Sequence, residues 1–95
     1  MKMHNPPHPG DILKYDVLPE LDMTIAAAAT ALGVSRVTLS RVVNSRSAVS
    51  ADMALRLGAR LGNGAEVWLR MQAAYDLWQA RQSPRPRIKP VRHAA

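Results

Sequence analysis

Residues 24–44 constrain this chain most strongly. They hold two helical segments, each too short to stand alone, joined through a single glycine. Thr24 is placed to cap Ile25 to Leu32, a stretch that is almost pure alanine, Ala26 to Ala29 and then Ala31. Gly33 ends it, because glycine adopts a left-handed conformation at least cost. Ser35 is placed to cap the next segment, Arg36 to about Asn44, with Leu39 and Val42 on its inner side. Isolated helices below about 12–15 residues are marginal in water, so these two must hold each other. Ala29, four residues before Gly33, falls where the helices cross steeply and a larger side chain would part them. Val34 follows the turn and is placed to plug into the core. This is the spacing of a helix-turn-helix, whose second helix lies in the major groove of DNA.

Around this unit the reading is all-α, with five helices. Pro6, Pro7 and Pro9 make residues 1–8 an extended arm. A first helix opens at Pro9-Gly10-Asp11, carries Ile12, Leu13, Val17 and Leu18 as an apolar stripe, and is expected to end at Pro19. Ser50 caps a fourth helix containing Ala54, Leu57 and Leu61, and Gly62-Asn63-Gly64 breaks it. The fifth is expected over residues 65–81. Residues 82–95 read as a basic, disordered tail. No strand-like alternation and no internal repeat occurs. At 95 residues the chain holds one domain, over residues 9–81. With 4% aromatic residues and no Phe its core is modest, and help from a partner chain is expected.

The charge distribution supports a nucleic-acid partner. The net charge is +6, yet Asp11, Asp16, Glu20 and Asp22 crowd into the first quarter. From Met23 to Ala51 no acid occurs, and Arg36, Arg41 and Arg46 stand there alone. With Leu39 and Val42 inward, Arg36, Val37, Ser40, Arg41 and Asn44 face outward. Two arginines on such a helix suit guanine, whose O6 and N7 accept from one guanidinium; each such pair is worth about 1–3 kcal/mol of discrimination. The base-reading set is therefore Arg36, Val37, Thr38 and Arg41, with Val37 suited to a thymine methyl. The phosphate-contacting set is Thr24, Ser35, Ser40, Asn44, Ser45 and Arg46. The competing reading is an alanine-rich helical hairpin in a bundle that binds no nucleic acid.

Other chemistry finds little footing. His4 and His8 share a four-residue spacing, but the intervening prolines prevent the helix that would align them, and no metal site is expected. There is no glycine-rich phosphate loop and no arrangement of Ser, His and Asp suggesting a triad. No cofactor and no enzymatic activity are expected. No apolar run approaches the roughly 18–20 residues of a membrane span, and no secretory signal is evident at the start. With no cysteine, a reducing cytoplasm fits.

The fifth helix carries apolar residues on two sides. At 100° per residue Trp68, Met71, Tyr75 and Trp78 fall on one stripe, while Leu69, Ala73, Leu77 and Ala80 form a second. A surface helix normally shows one such face. Homodimerisation accounts for the other, and Trp68, Met71, Tyr75 and Trp78 are the expected dimer interface. A two-fold dimer would place two reading helices about 34–36 Å apart, matching a palindromic operator.

The run His8-Pro9-Gly10-Asp11-Ile12-Leu13, the segment Leu32-Gly33-Val34-Ser35-Arg36 with Thr38-Leu39-Ser40-Arg41 and Asn44, then Met53-Ala54-Leu55-Arg56-Leu57, and Val67-Trp68-Leu69 through Gln72-Ala73-Ala74-Tyr75-Asp76-Leu77, together resemble the HigA antitoxin family. That family, also described as VapI-like or addiction module antidotes, has the Xre/Cro, lambda-repressor-like helix-turn-helix fold. The likeness spans roughly His4 to Arg81. It implies a cytoplasmic homodimer that represses its own operon on double-stranded DNA and neutralises HigB, a RelE-like mRNA-cleaving toxin. A stand-alone repressor of the same fold, without a toxin, is the alternative. Two positions depart from the pattern. Relatives usually have Gly where Ser45 stands, which puts the backbone there in question. Ile25 stands where the wider superfamily often has a phosphate-binding Gln, so no such contact is carried over.

Overall fold

The computed structural model describes residues 5–91. Five helices and no strand occur among the described residues: α1 over residues 9–20, α2 Ile25–Leu32, α3 Arg36–Val43, α4 Ala51–Leu61 and α5 Ala65–Gln82.

Helix α1 begins where the prolines predict. His8 caps it, Nδ1 accepting from the Gly10 N–H at 2.8 Å, and Pro9 occupies the first turn, where a missing N–H costs nothing. Its end differs from expectation. Pro19 does not terminate α1, which continues to Glu20 through a widened π turn, Leu13–Val17, where Leu18 N–H bonds the Leu13 carbonyl. A proline inside a regular helix lacks a donor and crowds the carbonyl four residues back; the wider turn just before it relieves that clash. The chain then reverses at Asp22, whose φ is 52°.

The helix-turn-helix forms as its caps dictate. Thr24 Oγ1 accepts from Ala27 N–H at 3.0 Å, and Ser35 Oγ accepts from Thr38 N–H at 3.0 Å. Gly33 takes φ 72°, and Val34 N–H reaches back to the Ala29 carbonyl at 3.0 Å, closing the end of α2. Ala29 is buried at the crossing, as its position requires, while Val34 is partly buried against the core.

The core gathers one face from every helix: Leu13 and Leu18, Ala28 and Leu32, Leu39 with Val42 and Val43, Met53 with Leu57, and Trp68. Two glycines permit the closest approaches. A Cβ at Gly10 would lie 1.8 Å from the Val42 carbonyl oxygen, so α1 can rest on α3 only through a glycine. At Gly58 it would meet Ala65 N at 2.7 Å, where α4 abuts the start of α5.

Trp68 corrects the sequence reading. It is 1% exposed within the single chain, with Nε1 donating to Asn63 Oδ1 at 3.2 Å. A side chain with no surface left cannot line a contact with a second copy. Met71, on the same stripe, packs against this core, and Tyr75 sets its ring edge-on to His8, centroids 4.9 Å apart. Trp78 is half-buried one turn further on. The stripe expected to meet another chain is thus largely the one that seats α5 on its own domain. The second stripe stays uncovered, with Leu69 37% and Leu77 53% exposed.

Candidate nucleic-acid interface

Helix α3 is seated by three buried side chains before it presents anything outward. Leu39, Val42 and Val43 are buried at 2% exposure or less, which fixes its rotation. With those positions inward, helical geometry turns Arg36, Val37, Thr38 and Arg41 to solvent, and all four are exposed, Val37 at 63%. Arg46, in the loop after α3, is exposed as well. Among the described residues the single ion pair is Arg56–Asp52, so Arg36, Arg41 and Arg46 keep unneutralised guanidiniums on a segment, residues 23–51, that carries no acid of its own. Each of these guanidiniums carries five N–H donors in a fork suited to guanine or phosphate.

Donor accounting separates the expected phosphate contacts into two groups. Thr24 only accepts, from Ala27 N–H, so its hydroxyl proton is free at the N-terminus of α2. Ser40 likewise accepts from Asn44 Nδ2 and keeps its proton. Together with Arg46 these remain available. Ser35, Asn44 and Ser45 do not. Ser35 gives its hydroxyl proton to Thr38 Oγ1 at 2.8 Å, which leaves the Thr38 hydroxyl proton unused. Asn44 Nδ2 donates to the Ser40 carbonyl at 2.9 Å and to Ser40 Oγ at 3.3 Å, so both its protons close the last turn of α3. Ser45 Oγ donates to Asp11 at 3.2 Å, and its N–H is taken by the Val42 carbonyl. In the free chain these three side chains brace α3.

Ser45 also answers the question its departure from glycine raises. Its φ is 59°, the left-handed conformation glycine would adopt. The backbone path is kept at a cost of about 1 kcal/mol, which the bond to Asp11 offsets in part.

Two residues join the site without any local sequence signal. Lys14, on α1, donates from Nζ to Asn44 Oδ1 at 3.1 Å, which puts an ammonium with two remaining protons beside the end of α3. Arg56, on α4, donates through one guanidinium nitrogen to the carbonyls of Leu32, at 2.9 Å, and Gly33, at 3.2 Å. Its Nε donates to Asp52 at 2.8 Å, which orients the fork. Arg56 therefore satisfies the carbonyls that α2 leaves open at the turn and holds the start of α3 in place. Gln72 does comparable work from α5. It is buried, accepts from Val49 N–H at 2.8 Å and donates to Asp76 at 2.9 Å, tying the loop after α3 to α5. Lys14 lies thirty positions from Asn44, and Arg56 lies twenty-four from Leu32. No spacing rule links residues so far apart.

A pair of capped short helices crossing at an alanine, with free arginines along the exposed face of the second, defines a helix-turn-helix protein. The sequence profile of the helix-turn-helix family matches residues 13–68. Virulence-associated protein A' of Dichelobacter nodosus is 46% identical over 79 residues, covering 82% of this chain and 68% of that protein. Antitoxin HigA-1 of Vibrio cholerae is 42% identical over 72 residues, 76% of this chain and 68% of the relative. Among solved structures, the Pseudomonas aeruginosa antitoxin HigA with the higBA promoter superposes with a TM-score of 0.79 at 42% identity, covering 81% of this chain and 84% of that one. This chain belongs to the helix-turn-helix proteins, among the HigA-type antitoxins.

Proposed function

We propose that this protein is the DNA-binding antitoxin of a toxin–antitoxin pair. It acts as a homodimer that represses its own operon and neutralises a HigB-like, mRNA-cleaving toxin. The observation that carries the DNA half is the exposed, acid-free face of α3 with Arg36, Arg41 and Arg46 unpaired. The solved HigA relative bound to promoter DNA supports it. Arg36, Val37, Thr38 and Arg41 read base edges, while Thr24, Ser40, Arg46 and Lys14 hold phosphates and set the register. Self-association uses the uncovered stripe of α5, Leu69, Ala73, Leu77 and Ala80, and fits the two reading helices to a palindrome. The toxin half rests on family membership.

One purification tests both halves. The tagged chain is co-expressed with the short reading frame beside its gene, and the product is titrated onto DNA from its own promoter. A stoichiometric small partner and a specific shift of that DNA are expected. A specific shift with no partner would make the protein a stand-alone repressor, and a partner without a shift would remove the DNA half.

A further inference from the structure

The basic tail is absorbed neither by the core nor by the helix-turn-helix. Beyond Gln82 the chain carries Arg85, Arg87, Lys89 and Arg92 and no acid, four of its six net positive charges. The described part, residues 83–91, forms no helix and is exposed throughout; Ile88 is 76% and Val91 78% exposed. Among the described residues none of its cations has an ion-pair partner. Pro84, Pro86 and Pro90 each fix φ and remove a backbone donor, so the strand is held extended and loses little freedom on binding.

By contour length the tail is long enough to reach DNA held by α3. Gln72 is bonded to Val49 in the loop after α3, and Gln82 lies ten residues further along α5. That is about 15 Å of helix, while residues 83–91 in extended form span about 28 Å. A minor groove about 6 Å wide admits one extended strand but no helix, and its negative potential, deepest where A·T tracts narrow it, draws arginine. Basic arms attached to major-groove readers use that space.

We propose that residues 83–91 are a minor-groove arm. Arg85 and Arg87 enter the groove beside the operator half-site, Ile88 and Val91 lie against its sugar walls, and the arm prefers A·T-rich flanks. This inference rests on the DNA-binding reading of α3 but concerns base pairs that α3 does not touch.

The test uses the full chain, a truncation after Gln82 and the Arg85→Ala/Arg87→Ala double variant. Each is titrated onto duplexes with one operator core and flanks of A·T, G·C or inosine·cytosine pairs. Inosine lacks the 2-amino group, so its pair resembles A·T in the minor groove and G·C in the major. For the full chain, A·T and inosine·cytosine flanks are expected to bind alike and at least about fivefold more tightly than G·C flanks. Both altered proteins are expected to lose that preference while still distinguishing the operator core from scrambled DNA. Truncation is expected to lower the salt slope by about 3. A lower slope without any flank preference would overturn the minor-groove assignment in favour of phosphate contacts alone. No change on truncation would overturn the arm itself, and indifference of the full chain to the operator core would remove the α3 reading beneath both.

Discussion

Helices α3 and α5 are both amphipathic only in part, yet the sequence speaks plainly about one and misleads about the other. In α3 the two sides differ in chemistry. Leu39, Val42 and Val43 can only go inward, and Arg36 and Arg41 can only go outward, so naming the apolar side names the exposed side as well. In α5 both sides are apolar. Periodicity groups Trp68 with Met71 and Leu69 with Leu77, but it does not say which group the rest of the chain covers. The larger aromatic stripe looks like the stronger candidate for a partner and is instead the domain's own anchor. A helix end is legible when its residues have one physical solution; a helix face is legible when its two sides differ.

Four substitutions sharpen or break this contrast. The largest effect is expected from Trp68→Ala. Emptying its site should cost about 3–5 kcal/mol of folding stability, seen as a lower denaturation midpoint that does not depend on protein concentration. A midpoint that fell only on dilution would return Trp68 to an interface between copies. Arg41→Ala should leave thermal stability unchanged and weaken operator binding by about 1–3 kcal/mol, with little effect on random duplexes. Equal losses on both DNAs would reduce Arg41 to a phosphate contact. For the uncovered stripe, Leu77→Glu should shift the proposed dimer toward monomer by about tenfold in sedimentation experiments, with the helical circular dichroism intact. An unaltered dimer would locate self-association elsewhere. The smallest effect belongs to Arg56→Gln, which frees the carbonyls of Leu32 and Gly33 and should lower stability by about 1 kcal/mol. Because Arg56 only positions α3, binding to the operator should weaken more than binding to scrambled DNA; an equal loss on both would mean that Arg56 itself contacts phosphate.

The turn between α2 and α3 shows why so much was legible. Thr24, Ser35 and Ser50 cap where their side chains must, each accepting from the N–H three residues on. Gly33 and Gly62 stop their helices in the left-handed conformation that glycine allows. These are interactions among neighbours, and a short stretch of sequence contains both partners. The end of α1 was not legible in the same way: Pro19 forbids a regular helix but tolerates a widened one, and the choice follows from how Leu13 and Leu18 are both drawn into the core. Among the expected phosphate contacts, Thr24, Ser40 and Arg46 keep free donors. Ser35, Asn44 and Ser45 spend theirs on Thr38, Ser40 and Asp11.

The five helices, the crossing at Ala29 and Gly33, and the arginine face of α3 could be read without coordinates, because each depends on local caps or on a single choice between apolar and charged. Long-range packing assigned Trp68 to the core, brought Lys14 to the end of α3, and set Arg56 and Gln72 to brace the turn and the loop beside it. Those placements join residues that sequence spacing leaves unconnected. They were settled by which surfaces could be buried together without leaving a polar group unpaired.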